Sequence, residues 1–117
     1  MMALLRVGPL PADGLAASAR FHSRDLPGIL AALAHEGDGD ALTLVFAPAD
    51  HSHRGWRLSV VQGLAREHAR RRINAVASDD EAAIAAAARY LAMAPGVTGQ
   101  YLVLDGLGAG EVVCAKP

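Results

Sequence analysis

The sequence predicts an α/β domain built on a parallel sheet. Four short apolar segments alternate with longer segments of helical periodicity, and the connections between them are short. Strands that alternate with helices in this way form parallel sheets with crossover helices. The segment 41–46, ALTLVF, is almost entirely apolar, which is typical of a strand covered on both faces. We therefore expect a single domain over 1–117, with helical layers on both faces of the sheet.

The first third of the chain predicts one strand and one main helix. The strand covers 4–7 and ends at a Gly-Pro pair, and 15–21 adds a helical turn or two. The main helix is expected to begin near Ser23 or Asp25. Pro27 then lies in its first turn, where the missing N–H costs nothing.

The second strand, 41–46, is followed by a helix over about 53–71 that Asp50 or Ser52 is expected to cap. Arg70, Arg71 and Arg72 form a basic run at the end of that helix. We interpret the run as cations that face the negative end of the helix dipole.

The last part of the chain predicts a strand, a helix and a strand. The strand covers 73–77, and the segment 78–81, SDDE, reads as a capping box with additional acidic residues in the first turn. The helix that it opens extends to about Met93. A final apolar strand covers 101–104.

Charge and cysteine content exclude several classes of protein. The net charge is −1, so no overall field favours binding of nucleic acid. Cys114 is the single cysteine, so no intrachain disulfide can form and a reducing compartment is expected. The N-terminal segment 1–6 is too short for a signal peptide or a membrane span. We expect a cytoplasmic protein that contacts neither nucleic acid nor membrane.

Four segments carry a resemblance to a known family. They read LAREHA, RINAVA, TGQ and YLVLDG, at 64–69, 72–77, 98–100 and 101–106. In order and spacing they resemble the end of the short-chain dehydrogenase/reductase family. There a helix ends in LA-x-E, a strand reads R-[IV]-N-A-V, and the chain closes on TGQ-x-L-x-x-DG.

The resemblance covers only the C-terminal half of the family fold, strands four to seven. It implies a four-stranded, mostly parallel sheet in the linear order 1-2-3-4, with three main helices in a half-Rossmann arrangement. It also implies a left-handed last crossover. The helix 79–93 would then lie on the face of the sheet opposite the other two helices.

The positions that resemble the family's catalytic residues carry other side chains. Its tyrosine and lysine fall at Asp50 and Arg54, its serine near Phe46 or Ala47, and its helix asparagine near Ser18. A phenol must deliver a proton to the substrate carbonyl, and an ionised aspartate has no proton to give. The resemblance therefore implies a protein that is not an enzyme.

The cofactor motif of the family is missing as well. Neither G-x-x-x-G-x-G nor G-x-G-x-x-G follows any predicted strand. The glycine-rich segment 106–110 follows the last strand and precedes no helix, so it offers no helix N-terminus to a pyrophosphate. We expect no cofactor and no binding of NAD(P).

One polar constellation supports an alternative, a small-molecule or metal-binding protein or an enzyme. Asp50, His51, His53 and Asp79 are placed at the carboxyl ends of predicted strands, where ligands bind in open α/β sheets. Their nitrogen and oxygen atoms could bind a divalent metal. A set of solvated capping residues remains the simpler interpretation.

The main hypothesis is a non-catalytic protein that acts through self-association, as a homodimer, or through a protein partner such as a full-length short-chain dehydrogenase. The family's subunit contacts use the two helices that resemble 26–37 and 53–71. The candidate interface residues on them are Ile29, Leu33, Trp56, Val60 and Leu64. These apolar side chains could equally face the chain's own sheet. A structural remnant without a specific ligand is the third possibility.

Overall fold

The computed structural model describes residues 2–34 and 41–105. Its sheet contains β1 (Met2–Arg6), β2 (Ala41–Phe46), β3 (Arg72–Ala77) and β4 (Tyr101–Val103). The strands lie in the order β1-β2-β3-β4, and each neighbouring pair is parallel. The predicted fold class and strand order are confirmed. The expectations for the segment 106–110 and for Cys114 concern positions outside the described residues.

Helices cover both faces of the sheet. They are α1 (Gly14–Arg20), α2 (Leu26–Ala34), α3 (Arg54–Glu67) and α4 (Glu81–Ala92). The larger core joins α2 and α3 to one face of the sheet, and a smaller core joins α4 to the other. Because the strands advance in one direction, the crossover through α4 has the opposite hand to the two before it. This agrees with the arrangement that the resemblance implied.

The two helical segments predicted in the first third of the chain are joined into one run. A π turn, Phe21–Asp25, joins α1 to α2, so the helical run is continuous from the start of α1. The carboxylate of Asp13 caps that start. Helix α2 begins directly after Asp25, and α1 covers the helical turns expected at 15–21, so both predictions are confirmed, whereas the π turn between them was not predicted. Pro27 is the second residue of α2 and so lies in its first turn, as predicted.

The basic run 70–72 does not act as the sequence predicted. Helix α3 ends at Glu67, and Arg72 is the first residue of β3. Its Nη1 donates to the carbonyl oxygens of Leu91 and Ala94, at 2.7 and 2.9 Å. These carbonyls lie at the C-terminal end of α4. Arg72 therefore lies at the negative end of the dipole of α4, and not at that of α3, which precedes it in the chain.

The N-terminus of α4 is capped by Asp80, whose carboxylate accepts the N–H of Ala82 at 3.0 Å. The hydroxyl of Ser78 accepts the N–H of Asp80 instead. Glu81 does not fold back on the cap, because its carboxylate pairs with Arg6. The predicted capping box is thus wrong in detail, although the segment does start the helix.

The longest described helix, α3, has 14 residues. A helix needs about 20 largely apolar residues to cross a bilayer. No helix within 2–34 or 41–105 is both long enough and apolar enough to span a membrane.

Candidate functional site

A cavity of about 310 Å³ lies at the carboxyl ends of β1 and β2. The loops that follow these two strands form its walls, and His53 and Arg57 border it from the helical layer. Asp50, at the end of the second loop, borders it as well. This is the edge at which open α/β sheets bind ligands.

Arg57 is the cationic group of this cavity, and sequence reasoning did not identify it. Its side chain is 2% exposed. Nη1 donates to the carbonyl oxygen of Ala47 at 2.9 Å and to the hydroxyl of Tyr101 at 3.1 Å. The guanidinium lies 4.5 Å from the ring centre of Phe46. Nε is buried and has no hydrogen-bond partner.

A periodic pattern could have pointed to Arg57. It precedes Val61 by four positions and Leu64 by seven, so helical periodicity places it on the buried stripe of α3. A charged residue in that stripe is unusual, because arginine is rarely buried without a partner.

His53 is held on both ring nitrogens. Nε2 lies 2.8 Å from the carbonyl oxygen of Ala12, and Nδ1 accepts the indole N–H of Trp56 at 3.3 Å. A carbonyl only accepts and an indole only donates, so these partners select the neutral tautomer with its proton on Nε2. His53 therefore ties the loop after β1 to the start of α3 and has no free lone pair for a metal.

Asp50 caps the 3₁₀ turn His51–His53. The hydroxyl of Ser52 and then its N–H, both donating to the carboxylate, lower the pKa of Asp50 below its usual value of 3.8. Asp50 is therefore ionised at neutral pH and fixed in position.

The four candidate ligand residues do not form a metal site. His51 and Asp79 are exposed, and Asp50 and His53 are committed to the contacts above. Throughout the described residues, which include all four candidates, no three histidine, cysteine, aspartate or glutamate side chains are grouped to hold a metal. This arrangement gives the metal hypothesis no support. Asp50 and His53 nevertheless border the same cavity.

The candidate interface residues belong to the chain's own core. Ile29, Leu33 and Leu64 are only 1%, 6% and 6% exposed, because they pack against the sheet. The prediction that they form an intermolecular surface is wrong. Trp56 and Val60 are half-buried and pack against the same core.

The positions that resemble the family's catalytic residues are dispersed. Arg54 is exposed at the start of α3, and Phe46 is completely buried. Ser18 lies on α1 beside His22. Of the residues at these positions, Asp50 and Ala47 border the cavity.

Comparison with known proteins supports one assignment. The family model described as short chain dehydrogenase-like protein matches residues 5–104, which include all four helices and all or part of each strand. Neither the curated proteins nor the solved structures give a match. Since the matched region is most of the 117 residues, the chain belongs to the short chain dehydrogenase-like protein family.

Proposed function

We propose that this protein is a non-catalytic member of its family that acts by associating with another protein chain through the outer edge of β1. One observation carries the proposal. Strand β1 pairs with β2 on one side, and no strand of the described residues pairs with its other side. An edge strand presents unpaired N–H and C=O groups to a partner strand.

The composition of β1 favours such a contact. Proteins that keep an edge strand single place lysine, proline or a bulge on it. Strand β1 reads MALLR, and its Leu4 is 41% exposed. The guanidinium of Arg6 is engaged by Glu81 in two hydrogen bonds of 2.9 Å. The edge is therefore apolar, and its one charge is compensated.

A second copy of the chain is the partner that these features fit best. Two β1 strands can pair antiparallel across a two-fold axis, so that one continuous sheet spans both copies. An axis near Leu4 would place that side chain against Leu4 of the second copy. A full-length short-chain dehydrogenase is the other candidate partner. We place the protein in the cytoplasm, where chains without disulfides are usual.

The absence of reductase activity is part of the proposal. Asp50, at the position that resembles the catalytic tyrosine, is ionised, with its pKa lowered by Ser52. Arg54, at the lysine position, is exposed. We expect no oxidation of NADPH with a panel of aldehydes and ketones, and no quenching of NADPH fluorescence. Turnover above that of heat-denatured protein would overturn this part.

Light scattering after size-exclusion chromatography tests the association. The wild-type protein should have twice the mass of one chain. Leu4→Lys should be monomeric, because like charges would then face each other across the two-fold axis. An equimolar mixture of Leu4→Lys and Leu4→Glu should regain the dimer mass.

Val103→Lys is the matched control, since Val103 is 65% exposed on the opposite edge strand, β4. It should remain dimeric. A wild-type protein that stays monomeric at high concentration and captures no family member would contradict the proposal. So would a dimer that survives Leu4→Lys and dissociates with Val103→Lys.

A further inference from the structure

Arg57 differs from the arginines that form ion pairs. Arg6 pairs with Glu81, and Arg24 pairs with Asp25, both at 2.9 Å. These ion pairs are on the surface. Arg57 is the one buried arginine of the described residues, and its hydrogen-bond partners are neutral.

A buried guanidinium without an anion is energetically unfavourable, because arginine stays charged at any physiological pH. Both hydrogen bonds come from Nη1, and within the described part of the chain the buried Nε has no hydrogen-bond partner. The rings of Phe46, Trp56 and Tyr101 lie 4.5 to 6.0 Å from the guanidinium and stabilise it partly. Nε is thus left without an acceptor.

The nearest acidic residue of the cavity does not supply that acceptor. Asp50 borders the cavity, but the hydrogen bonds that the structure gives for its carboxylate come from Ser52 to Oδ1, and those of Arg57 go to Ala47 and Tyr101 instead. His53 cannot serve either, because Ala12 and Trp56 occupy its ring nitrogens. No acidic side chain that borders the cavity neutralises Arg57, so its counter-ion must come from a molecule that enters the cavity.

We propose that this cavity binds a small monocarboxylate and that Arg57 is its counter-ion. A guanidinium forms strong, charge-assisted hydrogen bonds with a carboxylate. The volume of about 310 Å³ is at the lower end of ligand cavities, so the ligand has a short carbon chain. Leu10, Pro11 and Pro48 in the walls provide apolar contact for that chain. This inference is independent of the association through β1.

The charge of the site selects a monoanion. Arg57 is the one cationic side chain bordering the cavity, since His53 is held in its neutral tautomer. Asp50 adds a negative charge at the same cavity. A phosphate dianion would therefore meet one positive charge and one negative charge, whereas a carboxylate is neutralised by Arg57 alone.

Trp56 provides a direct readout. It is the single tryptophan of the chain, and its ring lies 5.7 Å from the Arg57 guanidinium. Titration with sodium propionate should change its fluorescence to saturation. Propionamide, which has the same shape without the charge, should not. Sodium phosphate and sodium chloride at matched ionic strength should give no saturable change.

Arg57→Met should weaken propionate binding at least about tenfold, because it removes a charge-assisted hydrogen bond. Arg54→Met is the matched control, since Arg54 is exposed on the same helix and does not border the cavity. It should bind propionate as the wild type does. If Arg57→Met fails to fold, Ala49→Leu decides, because it fills the cavity from an exposed position and should also weaken binding.

Three results would overturn the proposal. The first is a wild-type protein whose fluorescence shows no saturable response to propionate, which would mean that solvent satisfies Arg57. The second is unchanged affinity in a folded Arg57→Met, or in Ala49→Leu where Arg57→Met does not fold. The third is binding of phosphate or propionamide as tight as that of propionate, which would exclude recognition of a monocarboxylate.

Discussion

The side-chain oxygen of Asn74 accepts the backbone N–H of Gln100 at 3.0 Å. The amide nitrogen of Asn74 donates to the carbonyl oxygen of Val97, also at 3.0 Å. Asn74 lies in β3, and Gln100 directly precedes β4, so one buried side chain fixes the connection between α4 and the last strand. Both residues belong to the RINAVA and TGQ segments. In this chain those segments therefore specify a structural clamp.

Replacing Asn74 should therefore destabilise the fold. Asn74→Ala leaves the N–H of Gln100 and the carbonyl of Val97 without their partner, and we expect a loss of about 1–3 kcal/mol in the free energy of unfolding. Denaturation in urea, followed by circular dichroism, measures it. Gln100→Ala is the control, because its exposed side chain makes one long hydrogen bond, 3.4 Å, to Thr98. Equal losses in the two variants would argue against the clamp.

The fold could be predicted from the sequence because its signals are local and repeated. Apolar strands of four to six residues alternate with amphipathic helices, and short connections leave few topologies. The cap of Asp50 on the following turn was predictable for the same reason, since it joins residues two apart. Contacts between distant segments left no such pattern. Arg72, for example, was assigned to the wrong helix because its acceptors follow 19 and 22 residues later.

The site was harder to predict than the fold, because its chemistry depends on which side chains are buried. Asp50 and His53 were identified as polar residues at a strand end, and they border the cavity. Their hydrogen bonds to neighbouring groups, which remove them as metal ligands, could not be inferred from spacing. Arg57 was missed because it has no motif. Arg57 is recognised as unusual because its side chain is buried and its Nε has no hydrogen-bond partner, and both facts come from the structure.

Gly99 is expected to be sensitive to substitution. Its φ is +74°, a backbone conformation that residues with a Cβ adopt at a cost. Gly99→Ala should lose about 1–2 kcal/mol in the free energy of unfolding. The loss is a backbone effect, because the added methyl would lie 3.7 Å from Ala65, an ordinary contact. Gly96→Ala is the control, since Gly96 has open space around it and no positive φ. A comparable loss in Gly96→Ala would contradict the backbone explanation.

Asp80 and Asp79 provide a matched pair for the cap of α4. Asp80→Ala removes the acceptor for the N–H of Ala82 and should cost about 1 kcal/mol. Asp79 is adjacent and exposed, and it makes no hydrogen bond to the helix. We expect Asp79→Ala to stay within about 0.5 kcal/mol of wild type. Thermal and urea unfolding distinguish the two. A larger effect at Asp79 would show that general acidity of the first turn, and not the cap, stabilises α4.

The lowered pKa of Asp50 makes a contribution to stability that depends on pH. Folding favours the ionised carboxylate, because the hydroxyl and N–H of Ser52 donate to it. The contribution is present in full at pH values above 3.8, which is the usual pKa of an aspartate. It is lost as the pH falls through the lower pKa that Asp50 has in the folded state. Ser52→Ala removes the largest cause of the shift, so the pKa of Asp50, measured by carboxyl-carbon NMR, should rise towards 3.8.

Asp50→Asn is the matched variant for stability, because the amide oxygen can still accept the N–H of Ser52 but does not titrate. The free energy of unfolding of Asp50→Asn should be lower than that of the wild type at neutral pH. This difference should shrink as the pH falls below 3.8, because protonation of Asp50 then removes the same charge from the wild type. Urea unfolding of both proteins over a pH series measures this difference. A deficit that stays constant, or that grows on acidification, would show that the ionised carboxylate of Asp50 does not stabilise the turn.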